Sequence, residues 1–242
     1  GRTPQVSSIG FVNGASFAVG FVPGSTGSIF GVGLMEGVDG VIQADTLPFP
    51  LEMRGVKVFV DGTPAPILSI SSNQGQEQVN IQVPFETQAP SDGIVVRMEN
   101  NGAGIDFPGI PTFRTQPGIF QISFSNELYA AALHLNFTLV RPEDPALPGE
   151  TILFFVTGLG PTVPAADTNV PGGVPPLFTV EEATVTIDGV PQTVLGSFYA
   201  PGLISAYQIN LTIAPDTPAG TRILKVTAGG ASSQDSQIPI GP

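Results

Sequence analysis

VPGSTGSIFGVGL at 22–34 and LPGETILFFVTGL at 147–159 are two writings of one pattern, 125 residues apart. Each starts on an apolar residue and a Pro-Gly, runs through a strand-like stretch and closes on Gly-Leu. Working outward, VDGTP (60–64) matches IDGVP (187–191) at an offset of 127, and QVN (78–80) matches QIN (208–210) at 130. The order is preserved, and the drift is what loop insertions of a few residues produce. The chain therefore reads as two copies of one unit of roughly 100 residues, the size of an immunoglobulin sandwich.

The unit is made of β-strands. GVKVFVD (55–61) places Val56, Val58 and Val60 on one face, and VNIQV (79–83) does the same with Val79, Ile81 and Val83. TVTID (184–188) and INLTI (209–213) repeat the strict period of two that marks half-buried strands. Asp61-Gly62 and Asp188-Gly189 supply the positive φ angles of tight hairpins. Pro64 and Pro191, which cannot donate to a ladder, mark an edge or a bulge. NELYAAALHL (126–135) has helical propensity, but its neighbours favour strand. Composition agrees: 30 Gly and 25 Pro among 242 residues are roughly double the ordinary share of ~12%, which excludes a helical bundle. The expectation is an all-β chain of two tandem immunoglobulin-like β-sandwich domains related by internal duplication, over 1–115 and 116–242. The Pro-rich DFPGIPTFRTQPGIF (106–120) is a stiff, short connection between them, with the boundary near Gln116.

Eight basic against 20 acidic residues leave a net charge of −12. Such a surface repels phosphate backbones and anionic lipid, which argues against nucleic acid as a partner. No apolar run reaches the ~18 residues of a membrane span, so membrane insertion is not expected. The absence of cysteine removes disulfides, thiolate nucleophiles and zinc sites of the usual kind. The chain opens Gly1-Arg2-Thr3-Pro4 without methionine. We read this as a trimmed start from which a signal peptide has been removed, and expect a secreted or cell-surface protein.

FVNGASFAVGFVPGSTGSIFGVGL (11–34) resembles the opening of the uncharacterised C-terminal domain family of Solibacter-type bacterial secreted proteins. The likeness continues through GVKVFVDGTPAPILSI (55–70), EQVNIQVPFE (77–86), QPGIF (116–120), PGETILFFVTGLGPTVP (148–164) and AYQINLTIAPDTPAG (206–220). HLNFTLVRPED (134–144) and Gly37–Leu47 depart from it. The resemblance implies tandem immunoglobulin-like domains appended to exported proteins and implies no activity.

Catalytic signals are weak. His134 is the only histidine, and no Gly-x-Ser-x-Gly elbow accompanies it; GSTGS (24–28) lacks the central spacing. The carboxylate pairs Glu143-Asp144 and Glu181-Glu182 read as solvated loop charge. No enzyme and no cofactor are expected. Calcium, if bound, would sit in the loop carrying Glu36, Asp39 and Asp45, although no EF-hand spacing is present. For sugar stacking Trp is absent, and the candidates are Tyr199, Tyr207 and Tyr129; Tyr199 in FYAPG (198–202) is the best exposed candidate, with packing in the core or at its rim the stronger reading. The 16 phenylalanines read as core, lacking a polar handle for a wet surface. Gln78 with Asn80, and Gln208 with Asn210, recur on the polar side of a strand and read as hydrogen-bonding residues. Asn136-Phe137-Thr138 and Asn210-Leu211-Thr212 are formal glycosylation sequons, and VPGGVPP (170–176) is a turn, not a phosphate loop. Two functions follow as expectations. The first is a non-catalytic structural, adhesive or protein-binding module of a larger exported bacterial protein. The alternative is an accessory module that binds cell-surface polysaccharide through loop aromatics. Nothing in the sequence speaks to oligomeric state.

Overall fold

The computed structural model describes residues 1–242 and consists of strands and turns, with no helix. The first half holds β1 (Gln5–Asn13), β2 (Thr26–Val32), β3 (Gly40–Gln43), β4 (Val56–Val60) and β5 (Thr63–Pro64). It continues with β6 (Ile67–Asn73), β7 (Gln76–Gln82), β8 (Ile94–Asn100) and β9 (Ala103–Ile110). One sheet runs β1-β2-β7-β6-β3 and the other β5-β4-β8-β9. Along the chain this is an A-B-E-D sheet facing a C-F-G sheet, the immunoglobulin arrangement, with β3 and β5 as additional edge strands.

The second half opens with β10 (Gly118–Ile119), β11 (Gln121–Phe124), β12 (Glu127–Ala130), β13 (Ala132–His134) and β14 (Thr151–Thr157). Then come β15 (Thr162–Val163), β16 (Leu177–Thr179), β17 (Thr184–Ile187), β18 (Val190–Pro191) and β19 (Thr193–Tyr199). It closes with β20 (Tyr207–Thr212), β21 (Gly220–Ala228), β22 (Ala231–Ser232) and β23 (Ser236–Ile240). The path β10-β14-β20-β19 repeats A-B-E-D, and β17-β21-β23 repeats C-F-G. The hairpin β11-β12 is an addition, docked in parallel on β23. The segment with helical propensity forms β12 and β13.

Turn chemistry is duplicated atom for atom. Asp61 and Asp188 have φ of 45° and 48°, followed by Gly62 and Gly189 at 79° each. The carboxylate of Asp61 accepts from the Val95 N–H, and that of Asp188 from the Ile223 N–H, both at 2.9 Å. Pro64 and Pro191 lie in β5 and β18, at sheet edges where no donor is required. The period-two residues face inward. Val56, Val58, Val79 and Ile81 belong to one buried cluster, and Val185, Ile187, Ile209 and Leu211 to a second. The first cluster spans Phe11 to Ile110 and the second Ile119 to Ile240, so a core lies on either side of Gln116.

Candidate functional site

The two cores meet along a polar seam that the Pro-rich connection alone does not explain. At one end Asn13 accepts from the Ala15 and Ser16 N–H groups and donates through Nδ2 to Gln116 O at 2.7 Å. In the middle, Ser25 Oγ accepts from the Gly158 N–H (2.9 Å) and Thr157 Oγ1 accepts from the Thr26 N–H (2.9 Å). Thr26 Oγ1 lies 2.7 Å from Ser205 Oγ. Gln82 bridges the halves, donating to Tyr199 Oη at 2.9 Å and accepting from the Asn169 N–H at 2.7 Å. At the far end Asn169 pairs with both main-chain groups of Phe49, and Thr168 Oγ1 accepts from the Phe85 N–H.

Gln82, Thr157, Tyr199 and Ser205 are each 0% exposed. Burial at this depth is costly for a polar group unless it is paired, and among buried side-chain nitrogens and oxygens only Thr87 Oγ1 and Gln116 Oε1 lack a partner. Phe85 crosses the boundary as well. It packs against the second core, edge-on to Tyr199 with ring centres 5.5 Å apart. Hence the relative placement of the sandwiches is set by side chains from both, not by linker stiffness alone. The GSTGS segment, unfit as a nucleophile elbow, is part of this joint.

Tyr199, Tyr207 and Tyr129 are buried, which removes them as candidate stacking platforms and agrees with core packing as the stronger reading of Tyr199. Tyr199 lies between Phe85 and Tyr207, and its hydroxyl also accepts from the Ser205 N–H at 2.6 Å. Tyr207 is fully buried and donates to Gly160 O at 2.6 Å. Tyr129 is 5% exposed and donates to Glu127 Oε2. Burial raises the Tyr199 hydroxyl to about 12 and pushes Tyr207 up further, so both stay neutral. The reason is chemical: a phenol can fill a core and still satisfy polar groups at its tip, which a seam of this kind requires. The phenylalanines depart from the core expectation. Only Phe11, Phe21, Phe154 and Phe198 are buried, while Phe17, Phe113, Phe137 and Phe178 are exposed.

The acidic loop does not assemble a calcium site. No group of three or more Asp, Glu or His side chains in the structure could hold a metal ion, and Glu36 instead accepts from the Arg2 N–H at 2.8 Å. Glu36 and Asp39 precede β3 and Asp45 follows it, so a strand interrupts what was expected to be one loop. Arg114, in the linker, pairs Glu181 at 2.7 Å.

His134, at the end of β13, lies between two acceptors. Its Nδ1 is 2.5 Å from Glu150 Oε1, and its Nε2 is 3.2 Å from the Asp144 carbonyl. With an acceptor on each ring nitrogen, both nitrogens must donate, which favours the imidazolium. Burial pulls its pKa down, but the Glu150 hydrogen bond and then the Asp144 carbonyl together raise it above the ordinary value. Neither ring nitrogen meets a serine or threonine hydroxyl, so the histidine ties the 135–150 loop to its strand. A raised folded pKa contributes stability that is complete below the unfolded value of about 6.5 and is lost as pH rises through the folded one. His134→Gln is expected to cost about 1 kcal/mol at mildly acid pH and much less in alkali. Urea midpoints at both pH values measure this; an equal cost at both would show that the charge contributes nothing.

A concavity of about 820 Å³ opens at the edge of the second sandwich between β16–β19 and β17–β18, beside Phe178, Val185 and Val194. A second set of hollows crosses the outer face of β2, β7, β6 and β3. They measure about 480, 400 and 350 Å³, and the last is completed by Phe120 and Ile204 of the second half. In this face Asn80 is the hub. Its Oδ1 accepts from Ser28 Oγ (2.6 Å) and Gln78 Nε2 (2.8 Å), and its Nδ2 donates to Ser69 Oγ (2.8 Å). The repeated amide pair therefore bonds within its own strand and across to β2 and β6, where hydrogen bonds to neighbouring loops were expected. Gln208 repeats the bond to Asn210 at 2.8 Å. Gln78 with Asn80 was legible at i, i+2; Ser28 and Ser69 were not, because only strand pairing brings them there.

The fold and these surfaces define a class: a tandem immunoglobulin-like all-β protein whose two sandwiches share a buried joint. No protein-family model matches the chain, and no curated protein matches it in sequence. Among solved structures it is similar to a Bacteroides ovatus mixed-linkage glucan utilization locus protein, SGBP-B, in complex with a mixed-linkage heptasaccharide. The identity is 11% and the TM-score 0.32, over 100% of this chain but 47% of that one. It is also similar to domains 5–6 of the S-layer protein SbsC, at 11% identity and TM-score 0.27 over 98% of each chain. The titin I9–I11 tandem gives 12% identity and TM-score 0.24, over 98% of this chain and 65% of that one. The chain thus spans about half the length of the first of these. Likenesses of this depth carry no argument about partners.

Proposed function

We propose that this chain is a non-catalytic module of a larger exported protein, holding two sandwiches at one fixed angle as a structural, adhesive or protein-binding unit at the cell surface. The observation that carries this reading is the seam. Buried polar groups specify a single arrangement, because any other docking leaves Gln82, Tyr199 and Asn169 without partners. Domains meant to move apart keep interfaces that tolerate solvation; this one is hydrogen-bonded through buried side chains and interlocked by Phe85. The acidic surface and the resemblance to Solibacter-type secreted proteins support an exported setting. No helix is present that could cross a membrane.

Small-angle scattering together with ¹⁵N relaxation tests the reading. One scattering profile, accounted for by this arrangement alone, and one rotational correlation time for both halves are expected. Independent tumbling of the halves would overturn it.

A further inference from the structure

We infer that the outer face of the β2-β7-β6-β3 sheet binds an uncharged, hydroxyl-rich polysaccharide chain, and that the second sandwich carries no equivalent site on its own sheet. The register lays out the face as two rows across the strands. One row runs Phe30, Gln78, Ser71, Val41, and the next Ser28, Asn80, Ser69, Gln43. Neither row contains a charged residue, nor do the linings of the three hollows that cross the face. In a chain with 20 acidic and 8 basic residues, the ligand that complements this face brings no charge of its own.

Hydroxyl groups are what the face can recognise. The bonds around Asn80 hold Gln78, Ser28 and Ser69 in place. They leave the Gln78 Oε1 acceptor, the Ser69 O–H donor, the Ser71 hydroxyl and the exposed Gln43 and Gln76 amides free. Donors and acceptors are thus interspersed, matching sugar hydroxyls that each donate and accept. A partner β-strand is disfavoured, since β7 and β6 are already paired on both sides and offer side chains only.

Apolar rings flank the polar rows. Phe120 and Phe49 line the hollow at the crease between the sandwiches. Phe17, in the turn after β1, is 57% exposed and edge-on to Phe30, with ring centres 5.9 Å apart. Its φ of 59° is a costly conformation for a bulky residue, held by its N–H bond to Asn13 O. Strain that exposes an apolar ring in this way has no account in core packing.

The duplication supplies an internal control. The second sandwich keeps the amide pair, but Gln208 lies between Phe155 and Phe198, and Asn210 between Leu153 and Gly196. The pair by itself is thus a feature of the strand, while the serines beside it belong to the first copy only.

Binding is independent of the spacer reading and is tested by native affinity electrophoresis of the full chain. The gels contain hydroxyethylcellulose, glucomannan, xyloglucan or dextran, with polygalacturonate as the anionic control. Retardation by at least one neutral polymer and none by polygalacturonate is expected. Gln78→Ala with Ser71→Ala should weaken that retardation about 10-fold or more through lost hydrogen bonds. Phe17→Ala should weaken it too, while Gln208→Ala leaves it unchanged. Migration unaltered in every neutral polymer overturns the inference. So does retardation that survives the Gln78/Ser71 double variant, or an equal loss from Gln208→Ala. Thermal melting of each variant separates lost binding from lost fold, and an unchanged scattering profile keeps this outcome distinct from that of the spacer test.

Discussion

Tyr199→Phe is expected to lower the unfolding free energy by about 2–4 kcal/mol, a large effect for the loss of one oxygen atom. The hydroxyl accepts from Gln82 Nε2 and from the Ser205 N–H. Phenylalanine fills the same volume, so packing against Phe85 and Tyr207 survives and no cavity opens. What changes is that two buried donors lose their acceptor, at about 1–3 kcal/mol each. Neither can turn to water, because Gln82 and Ser205 are 0% exposed. Equilibrium urea unfolding measures the loss. Combining Tyr199→Phe with Gln82→Ala should be less costly than the sum of the two, since both remove the same bond. Strict additivity, or a loss for Tyr199→Phe below about 0.5 kcal/mol, would mean that the joint is not held by this pair. Both halves should unfold in one transition, because the seam couples them.

Gly158→Ala should be costlier, about 3–5 kcal/mol. Gly158 has a φ of 80°, where a side chain is already disfavoured by about 1–2 kcal/mol. In addition, a Cβ there would stand 1.9 Å from the Gln116 carbonyl oxygen. That oxygen cannot retreat freely: it accepts from Asn13 Nδ2, and the Gln116 N–H donates to Gly158 O. Gly62→Ala is the matched control. Its φ is 79°, but nothing lies within 4 Å of the added carbon, so only the conformational cost should appear. If the two variants lose the same stability, the close approach at Gln116 is relieved cheaply and the joint is more compliant than its bonding implies.

The near-identity of these two φ values shows how far local reading reaches. Asp-Gly-x-Pro at 61–64 and 188–191 announced hairpins and edges because turn conformation depends on the residues within the turn. Gly158 carried a turn signal too, as the glycine of the repeated Gly-Leu. Its approach to Gln116 was not visible, since it is made by tertiary docking. The cross-boundary partners of Tyr199 were hidden for the same reason. Tyr199 ends β19 within the second core, against Tyr207, and the first half adds Phe85 and Gln82 to its surroundings.

The excess of Gly and Pro, the period-two valines and the repeated Pro-Gly and Asp-Gly turns determined an all-β chain written twice. Each of these preferences acts within a few residues of itself. Tertiary structure alone decided that tyrosines go inside and several phenylalanines outside, that GSTGS is a joint, and that Ser28 and Ser69 flank Asn80. Those outcomes depend on strand register and on one sandwich meeting the other. Such contacts join residues as far apart as Thr26 and Ser205, and no local preference encodes them.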